Sequence, residues 1–181
     1  MLPAVVLTAM HSLEAAGFEV FAVGGCVRDI LLKIPPHDWD LTTNARPEEI
    51  MACLSNFKQI TTGLKHGTVT VLCEHEPVEI TTFRIDGAYA DARHPENVRF
   101  TAKLSEDLKR RDFTVNALVY APESGVIDLF DGLSDIQNKT LRCIGNPNER
   151  FSEDALRILR ALRFSAKLDF AVEPETAEAA V

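Results

Sequence analysis

The sequence predicts an α+β fold. Strand patterns all lie before residue 145 and the last two patterns are helical, an order typical of α+β proteins rather than of doubly wound parallel sheets. The motifs G-x-x-x-x-G-K-S/T and G-x-G-x-x-G of the doubly wound nucleotide-binding folds do not occur. A length of 181 residues suits one good-sized domain, or one domain and the start of another.

The first elements follow from local patterns. Residues 4–16 carry apolar side chains at helical spacing and end at Gly17, a typical residue just after a helix. An apolar run at 18–23 predicts a buried strand, which the glycines at positions 24 and 25 interrupt. The next patterns predict a short helix, an extended segment launched by two prolines, and a helix with a proline in its first turn, at 27–32, 35–43 and 44–54.

A hairpin and a loop are predicted next. The runs 68–73 and 78–83 alternate and are rich in β-branched residues, which predicts an antiparallel hairpin. Residues 84–97 are polar with scattered Gly and Pro, which predicts a loop of the kind that is often functional. The following patterns predict a helix, a segment ambiguous between helix and strand, a strand, a short helix and a strand, at 104–111, 114–120, 126–130, 133–138 and 140–144.

The end of the sequence is predicted to be helical. One long helix is expected over 152–168, with Ser152 as its N-cap and acidic residues in its first turn. Residues 173–181 predict another helix that stops without a capping signal. We therefore expect the sequence to be the N-terminal part of a longer protein.

The composition, with 46% hydrophobic and 25% charged residues, is ordinary for a globular protein. No apolar run is long enough to span a bilayer, and the N-terminus lacks the basic region of a signal peptide. The four cysteines have no metal-binding spacing, so we expect reduced thiols in a cytoplasmic protein. The net charge of -8 disfavours a nucleic-acid surface over most of the chain, although a local basic track is compatible with it.

Asp38 and Asp40 are the first candidate site residues. In a strand, residues two apart point to the same face, so the two carboxylates would repel each other unless a cation lies between them. Mg²⁺ is commonly held by a few carboxylates together with substrate phosphates. Taken alone, the pair is also consistent with two solvated acids at a strand end.

Gly24, Gly25 and Arg28 precede this pair. Glycines let backbone N–H groups approach a phosphate, and an arginine supplies a forked donor, so the turn suits a triphosphate. An ordinary strand-to-helix turn, with Arg28 paired to Asp29, is the alternative.

Four motifs occur in one order along the chain: Gly24-Gly25-x-Val27-Arg28-Asp29, Asp38-x-Asp40, residues 110–117 (Arg-Arg-Asp-Phe-Thr-Val-Asn-Ala) and Glu153-Asp154-x-x-Arg157-x-x-Arg160. Together they resemble the class II tRNA nucleotidyltransferases, which are the CCA-adding enzymes, and the related bacterial poly(A) polymerases. The resemblance implies a polymerase-β-like nucleotidyltransferase head, a small mixed sheet with flanking helices, over residues 1–140. It also implies the start of an all-helical neck that reads the nucleobase, over residues 141–181.

The resemblance implies roles for individual residues. Asp38 and Asp40 match the catalytic metal-binding pair, and Glu79 on the neighbouring predicted strand is the candidate for a further carboxylate ligand. Arg111 and Asp112 match the motif that reads the ribose, with Asn116 supporting that loop or a phosphate. An ion pair within a helix is the alternative for Arg-Arg-Asp.

Asp154 and Arg157 match the family's base-reading pair. With spacing i and i+3 they are expected to share a helix face. Cytosine and adenine both present an exocyclic amine beside a ring-nitrogen acceptor, so a carboxylate and a guanidinium suit CTP and ATP and leave GTP and UTP unpaired. The alternative is a surface ion pair. Arg160, one turn further on, is expected to steer a phosphate or the pair itself.

The predicted function is template-independent addition of CCA to tRNA 3′ ends from CTP and ATP, with Mg²⁺ as cofactor and most of the tRNA contacts outside this chain. The loop at 84–95 resembles that of family members that add A. A poly(A) polymerase and a dedicated A-adding tRNA enzyme are the alternatives within the family. A fragment that binds nucleotides without turnover is the alternative of another class.

Overall fold

The computed structural model describes residues 2–73, 76–87 and 98–181. Its helices are α1 (Ala4–Ala15), α2 (Gly25–Leu31), α3 (Pro47–Cys53), α4 (Leu104–Lys109), α5 (Gly132–Gln137), α6 (Pro147–Glu153), α7 (Leu156–Leu168) and α8 (Pro174–Glu178). Its strands are β1 (Val20–Val23), β2 (Trp39–Thr43), β3 (Lys58–Ile60), β4 (Thr68–Cys73), β5 (Glu76–Thr82), β6 (Arg84–Asp86), β7 (Val98–Phe100), β8 (Val119–Ala121), β9 (Gly125–Ile127), β10 (Thr140–Leu141) and β11 (Ala171–Val172).

A mixed sheet organises the fold, with the strand order β3-β4-β5-β2-β1-β8-β9. Strands β2 and β5 run parallel, and Asp40 lies opposite Glu79 in their register. The neighbouring pairs β1–β2 and β4–β5 are antiparallel, which confirms the predicted hairpin. The sheet therefore brings the Asp40 strand into its centre, between β1 and β5.

One hydrophobic core lies between this sheet and the first helices. Helix α1 buries Val6, Ala9, Met10 and Leu13, as its helical spacing predicts. It ends where Gly17 takes a left-handed conformation, with φ of 88°, which a glycine adopts at no steric cost. The predicted helix boundary is thus confirmed to within one residue.

A second core seats the last helices on the sheet. It contains residues from both sides of position 140, among them Phe113, Leu141, Phe151 and Phe164. Helix α7 also contacts β10 and β11, which form a short parallel pair. Strand β10 lies within the strand predicted at 140–144, whereas β11 was not predicted. The C-terminal helices are therefore fixed against the part of the chain that carries the sheet.

The segment predicted as one loop at 84–97 is partly a strand. Arg84–Asp86 forms β6 and pairs with β7 in an antiparallel ribbon. Its polar residues gave no strand signal, because contacts with distant segments hold the strand: it pairs with β7, and the Arg84 amide donates to Asp107 at 3.2 Å. The rest of the predicted loop, residues 88–97, lies outside the described residues.

The predicted single helix at 152–168 is wrong in two respects. It is two helices, α6 and α7, and Asp154 between them has extended backbone angles, with φ of -144° and ψ of 100°. Ser152 is not an N-cap, since its hydroxyl donates to the Asn148 carbonyl inside α6. The cap is Asn146, whose side chain accepts from the Asn148 amide and which precedes Pro147, a common first helical residue.

The ambiguous segment at 114–120 contains both predicted structures, since a 3-10 turn over Thr114–Asn116 leads into β8. Helix α8 begins after Glu173, whose carboxylate accepts from the Thr176 amide at 2.9 Å. Across the described ranges, no helix combines the length and the apolar character that a membrane crossing would need.

Candidate active site

One cleft of about 890 Å³ lies between the start of β2, the turn before α2 and helix α7. All the site residues predicted from the sequence line it, except Glu79. They are Gly24, Gly25, Arg28, Asp38, Asp40, Arg111, Asp112, Asn116, Asp154, Arg157 and Arg160. The fold thus brings the four sequence motifs together in one place.

Asp40 lies in β2 and Asp38 immediately before it, and both side chains line the cleft. Burial raises the pKa of Asp40 to about 6, the Arg111 guanidinium opposes this rise, and the negative charges of Glu79 and Asp38 add to it. A divalent cation would offset that cost, because it supplies the positive charge that the carboxylates lack. The hard oxygen donors of this pair therefore fit Mg²⁺.

Glu79 is exposed and does not line the cleft, although it lies beside Asp40 on the adjacent strand. Within the described ranges, no three His, Cys, Asp or Glu side chains gather into a group that could hold a metal ion. A metal at Asp38 and Asp40 would therefore take its remaining ligands from phosphate or water oxygens. Glu79 as a further ligand stays a prediction.

The turn before α2 has the conformation that its glycines allow. Gly24 has φ of 78°, and a Cβ there would lie 3.2 Å from the Arg111 Nη1 atom. The buried Arg28 side chain donates to Asp29 at 2.6 and 2.8 Å, as in the ordinary-turn alternative. Its Nη1 atom also donates to the Asn116 side chain. Arg28 therefore lines the cleft as a guanidinium that is held rigidly from two sides.

Asp112 is the centre of a hydrogen-bond network. Its Oδ1 atom accepts from the Phe113 amide at 2.8 Å and from Asn116 Nδ2 at 3.1 Å. Its Oδ2 atom accepts from Arg160 Nε on α7 at 2.6 Å. This network holds Asp112 and Asn116 in place at the wall of the cleft and joins them to the last long helix.

Both arginines of Arg-Arg-Asp pair with Asp107 of α4, Arg110 at 2.8 Å and Arg111 at 3.5 Å, so the helical ion-pair alternative is formed in part. Among the described residues, Arg111 forms no ion pair with Asp112. The Nε atom of Arg111 is buried and has no hydrogen-bond partner among the residues that the structure describes. A buried donor of this kind costs free energy unless a ligand or water satisfies it, which suits a residue that contacts a bound nucleotide.

Asp154 and Arg157 both line the cleft, but they do not share one uninterrupted helix as predicted. Asp154 is at the break between α6 and α7, where its Oδ1 atom accepts from the Leu156 amide at 2.9 Å. This local bond competes with helix formation. The Asp154 carboxylate therefore reaches the cleft from the break between the helices, and the Arg157 guanidinium reaches it from the first turn of α7.

Arg157 is 5% exposed and is fixed from several directions. Its Nη1 atom donates to Glu153 at 2.8 Å and to the Arg150 carbonyl at 3.1 Å. Its Nη2 atom donates to the Arg110 carbonyl at 3.2 Å. The surface ion-pair alternative therefore does not apply, because the guanidinium is buried and pairs with Glu153 rather than with Asp154.

The cleft also includes residues that the site predictions did not contain, among them Arg163, Phe164 and Lys167 on α7. The recurrence of arginine at 157, 160 and 163 was a signal for the basic face of this helix. No local pattern distinguished Phe164 from an ordinary core residue, since helical spacing explains its burial equally well.

The model of the Poly A polymerase head domain family matches residues 20–142 of the chain. The chain belongs to this family. The matched region contains the seven-stranded sheet, the Gly24-Gly25 turn, both aspartates, and Asp112 with its partner Asn116, whereas Arg160 lies beyond it.

Relatives of the family cover nearly all of the chain. The chain is 52% identical to the CCA-adding enzyme of Leuconostoc citreum over 167 residues. The aligned region covers 92% of this chain and 41% of the relative. The crystal structure of the Bacillus stearothermophilus CCA-adding enzyme in complex with CTP is similar with a TM-score of 0.89 and 41% identity, over 99% of this chain and 43% of that one. The Thermotoga maritima CCA-adding enzyme in complex with tRNA is similar with a TM-score of 0.80 and 25% identity, over 99% and 42%. The chain thus spans less than half the length of these relatives.

Proposed function

We propose that the chain is the catalytic part of an enzyme that adds CCA to tRNA 3′ ends from CTP and ATP. The observation that carries the proposal is the single cleft in which Asp38 and Asp40 lie with Asp154 and Arg157. One end has the chemistry to hold a metal and phosphates, and the other has the chemistry to read a base without a template.

Asp38 and Asp40 are the residues that would hold Mg²⁺. The ion would neutralise charge on the phosphates and favour attack by the 3′-hydroxyl as pyrophosphate leaves. The arginines at 28, 111 and 160 supply forked donors for the triphosphate, and the Gly24-Gly25 turn lets backbone approach it. Asp112 can accept a hydrogen bond from the ribose 2′-hydroxyl, while Asn116 supports its orientation.

Asp154 and Arg157 are proposed to select the base. The carboxylate accepts from the exocyclic amine of cytosine or adenine, and the guanidinium donates to the adjacent ring nitrogen. Guanine and uracil present the reverse pattern and would leave buried groups unpaired, at a cost of about 1–3 kcal/mol each. The rigid fixation of Arg157 supports this role, because a mobile guanidinium would adapt to either pattern.

The relatives support the substrates. The Bacillus stearothermophilus protein is described with CTP and the Thermotoga maritima protein with tRNA. Since the chain spans 41–43% of these relatives, most of the tRNA contacts are proposed to lie outside it. We further propose a head over residues 1–140, a base-reading neck that starts at 141, and a cytoplasmic location, which the free thiols of Cys26, Cys53 and Cys143 suit.

Nucleotide binding and transfer test the proposal separately. Calorimetry in Mg²⁺ is expected to give tighter binding of CTP and ATP than of GTP and UTP. Incubation with a tRNA that lacks its CCA end is expected to add two C residues with CTP alone and a final A when ATP follows. Asp40→Asn should abolish the transfer. Equal binding of all four nucleotides would refute the base-reading role.

Poly(A) addition is the second candidate, because the matching family is described by that activity. The same assay separates the two. A long run of A on an RNA primer with ATP alone would favour the polymerase, whereas a single A after two C residues favours CCA addition. A single A on a tRNA that already ends in CC, without C addition, would indicate a dedicated A-adding enzyme.

A further inference from the structure

Three arginines surround one aromatic ring in the wall of the cleft. The guanidinium carbons of Arg28, Arg160 and Arg163 lie 5.1, 5.1 and 5.0 Å from the centroid of the Phe164 ring. A cation within about 6 Å of a ring centroid is attracted by the ring quadrupole. Arg28 comes from α2 and the other two from α7, so the ring joins elements that are distant in sequence.

Phe164 is itself held by the core. It is 6% exposed, and it packs edge-on against Phe113 with a centroid distance of 6.0 Å and an interplanar angle of 84°. Offset and edge-on contacts of this kind orient aromatic rings specifically. The ring is therefore a fixed surface against which the three guanidiniums lie.

The charges around the ring are only partly balanced. Arg28 pairs with Asp29 at 2.6 Å and Arg160 pairs with Asp112 at 2.6 Å. Arg163 is exposed and forms no ion pair with any residue in the described part of the chain. Three mutually repelling cations with two carboxylate partners leave one positive charge, which favours an anion in the adjacent cleft.

We propose that Phe164 is a positioning residue that holds these three guanidiniums around the β- and γ-phosphates of the bound nucleotide. The proposal rests on the proposed nucleotide site and assigns a role to a residue outside it. The ring keeps the three cations close together before the ligand arrives. The triphosphate then binds without first having to order them, which lowers the entropic cost of binding.

A comparison of CTP with CMP isolates this effect, because CMP keeps the base, ribose and α-phosphate but lacks the two outer phosphates. Calorimetry on Phe164→Met, which keeps apolar volume without a ring, is expected to show CTP affinity lowered about tenfold and CMP affinity changed by less than about twofold. Phe164→Tyr keeps the ring and should bind both nucleotides as the wild type does. Arg163→Gln, on the exposed side of α7, should weaken CTP but not CMP, and its CTP affinity should depend less steeply on salt.

The outcomes separate the two proposals. Absence of CTP binding by the wild type refutes the nucleotide site itself. Wild-type-like CTP affinity in Phe164→Met, or an equal loss of CTP and CMP, overturns the positioning role and leaves Phe164 as a packing residue. Thermal unfolding verifies that each variant is folded. If Phe164→Met does not fold, unchanged CTP affinity in Arg163→Gln overturns the proposal.

Discussion

Asp112 and Arg160 form an ion pair of 2.6 Å between the loop after α4 and helix α7. Both Nε and Nη2 of Arg160 lie 2.6 Å from the same oxygen, Asp112 Oδ2. Asp112 is 6% exposed, so the pair is largely shielded from water on the carboxylate side. A residue proposed to touch the ribose is thus tied to the helix proposed to contact the base and the phosphates.

Asp112→Asn is expected to lower the preference for CTP over dCTP by about tenfold or more, because the charged acceptor for the 2′-hydroxyl is lost and Arg160 loses its charge-assisted bonds. Competition binding of CTP and dCTP measures the effect. Asp169→Asn is the matched control, since Asp169 pairs with Lys139 at an exposed position away from the cleft. An unchanged CTP to dCTP ratio in Asp112→Asn would refute the ribose contact.

Asp40→Asn is expected to stabilise the metal-free protein at pH 7.5 by about 1–2 kcal/mol. Burial raises the pKa of Asp40 to about 6, so the native state binds this proton more tightly than the unfolded state. The stability that the protonated group contributes is complete below about pH 4 and is lost as the pH rises through about 6. The gain in Asp40→Asn should therefore vanish near pH 4.

Urea unfolding in EDTA between pH 4 and 8 measures this dependence. Added Mg²⁺ should stabilise the wild type and leave Asp40→Asn nearly unaffected, because only the wild type retains both carboxylate ligands. Equal free energies of unfolding of the two proteins at pH 7.5 without metal would show that the charged Asp40 side chain does not destabilise the folded protein.

Glu153→Ala is expected to reduce discrimination between CTP and UTP by about tenfold, because the charge-assisted bond that fixes Arg157 is worth about 1.5–3 kcal/mol. Glu153 accepts from Arg157 and Arg150, both at 2.8 Å. Glu153→Gln keeps an acceptor and should retain most of the discrimination. Calorimetry with CTP and UTP decides; full selectivity in Glu153→Ala would mean that the two backbone carbonyls orient Arg157 without it.

Gly24→Ala and Gly17→Ala are expected to lose comparable stability, about 1–3 kcal/mol each, because both positions have positive φ. Only Gly24→Ala should also lose CTP affinity. A Cβ at Gly24 would press on Arg111 Nη1 at 3.2 Å, whereas a Cβ at Gly17 meets nothing within 4 Å. Chemical unfolding and CTP titration of both variants separate strain from the effect on the site. Wild-type CTP affinity in Gly24→Ala would argue against a phosphate-binding turn.

Helices and strands were predicted correctly where apolar spacing, alternation or a glycine within the element itself defines them. Helix α1 follows from its apolar spacing and Gly17, and the β4–β5 hairpin follows from alternation of β-branched residues. The Arg84–Asp86 strand was missed because the bond from the Arg84 amide to Asp107 and the pairing with β7 join distant segments and leave no local pattern. The break at Asp154 was missed because the apolar spacing continues across it, while the Asp154 side chain accepts from the Leu156 amide and the Asp154 backbone is extended.

The sequence by itself determined which chemistry is available: two carboxylates at strand spacing, a glycine turn before an arginine, and the acid and guanidinium near residue 155. These motifs depend only on residue type and on short spacings, both of which can be read directly from the sequence. Only the tertiary structure decided that they share one cleft, that Arg157 donates to the Arg110 carbonyl, and that Arg28 lies over the Phe164 ring. Those relationships arise when the last helices pack on the core around Phe113, and packing between distant segments leaves no periodic trace in the sequence.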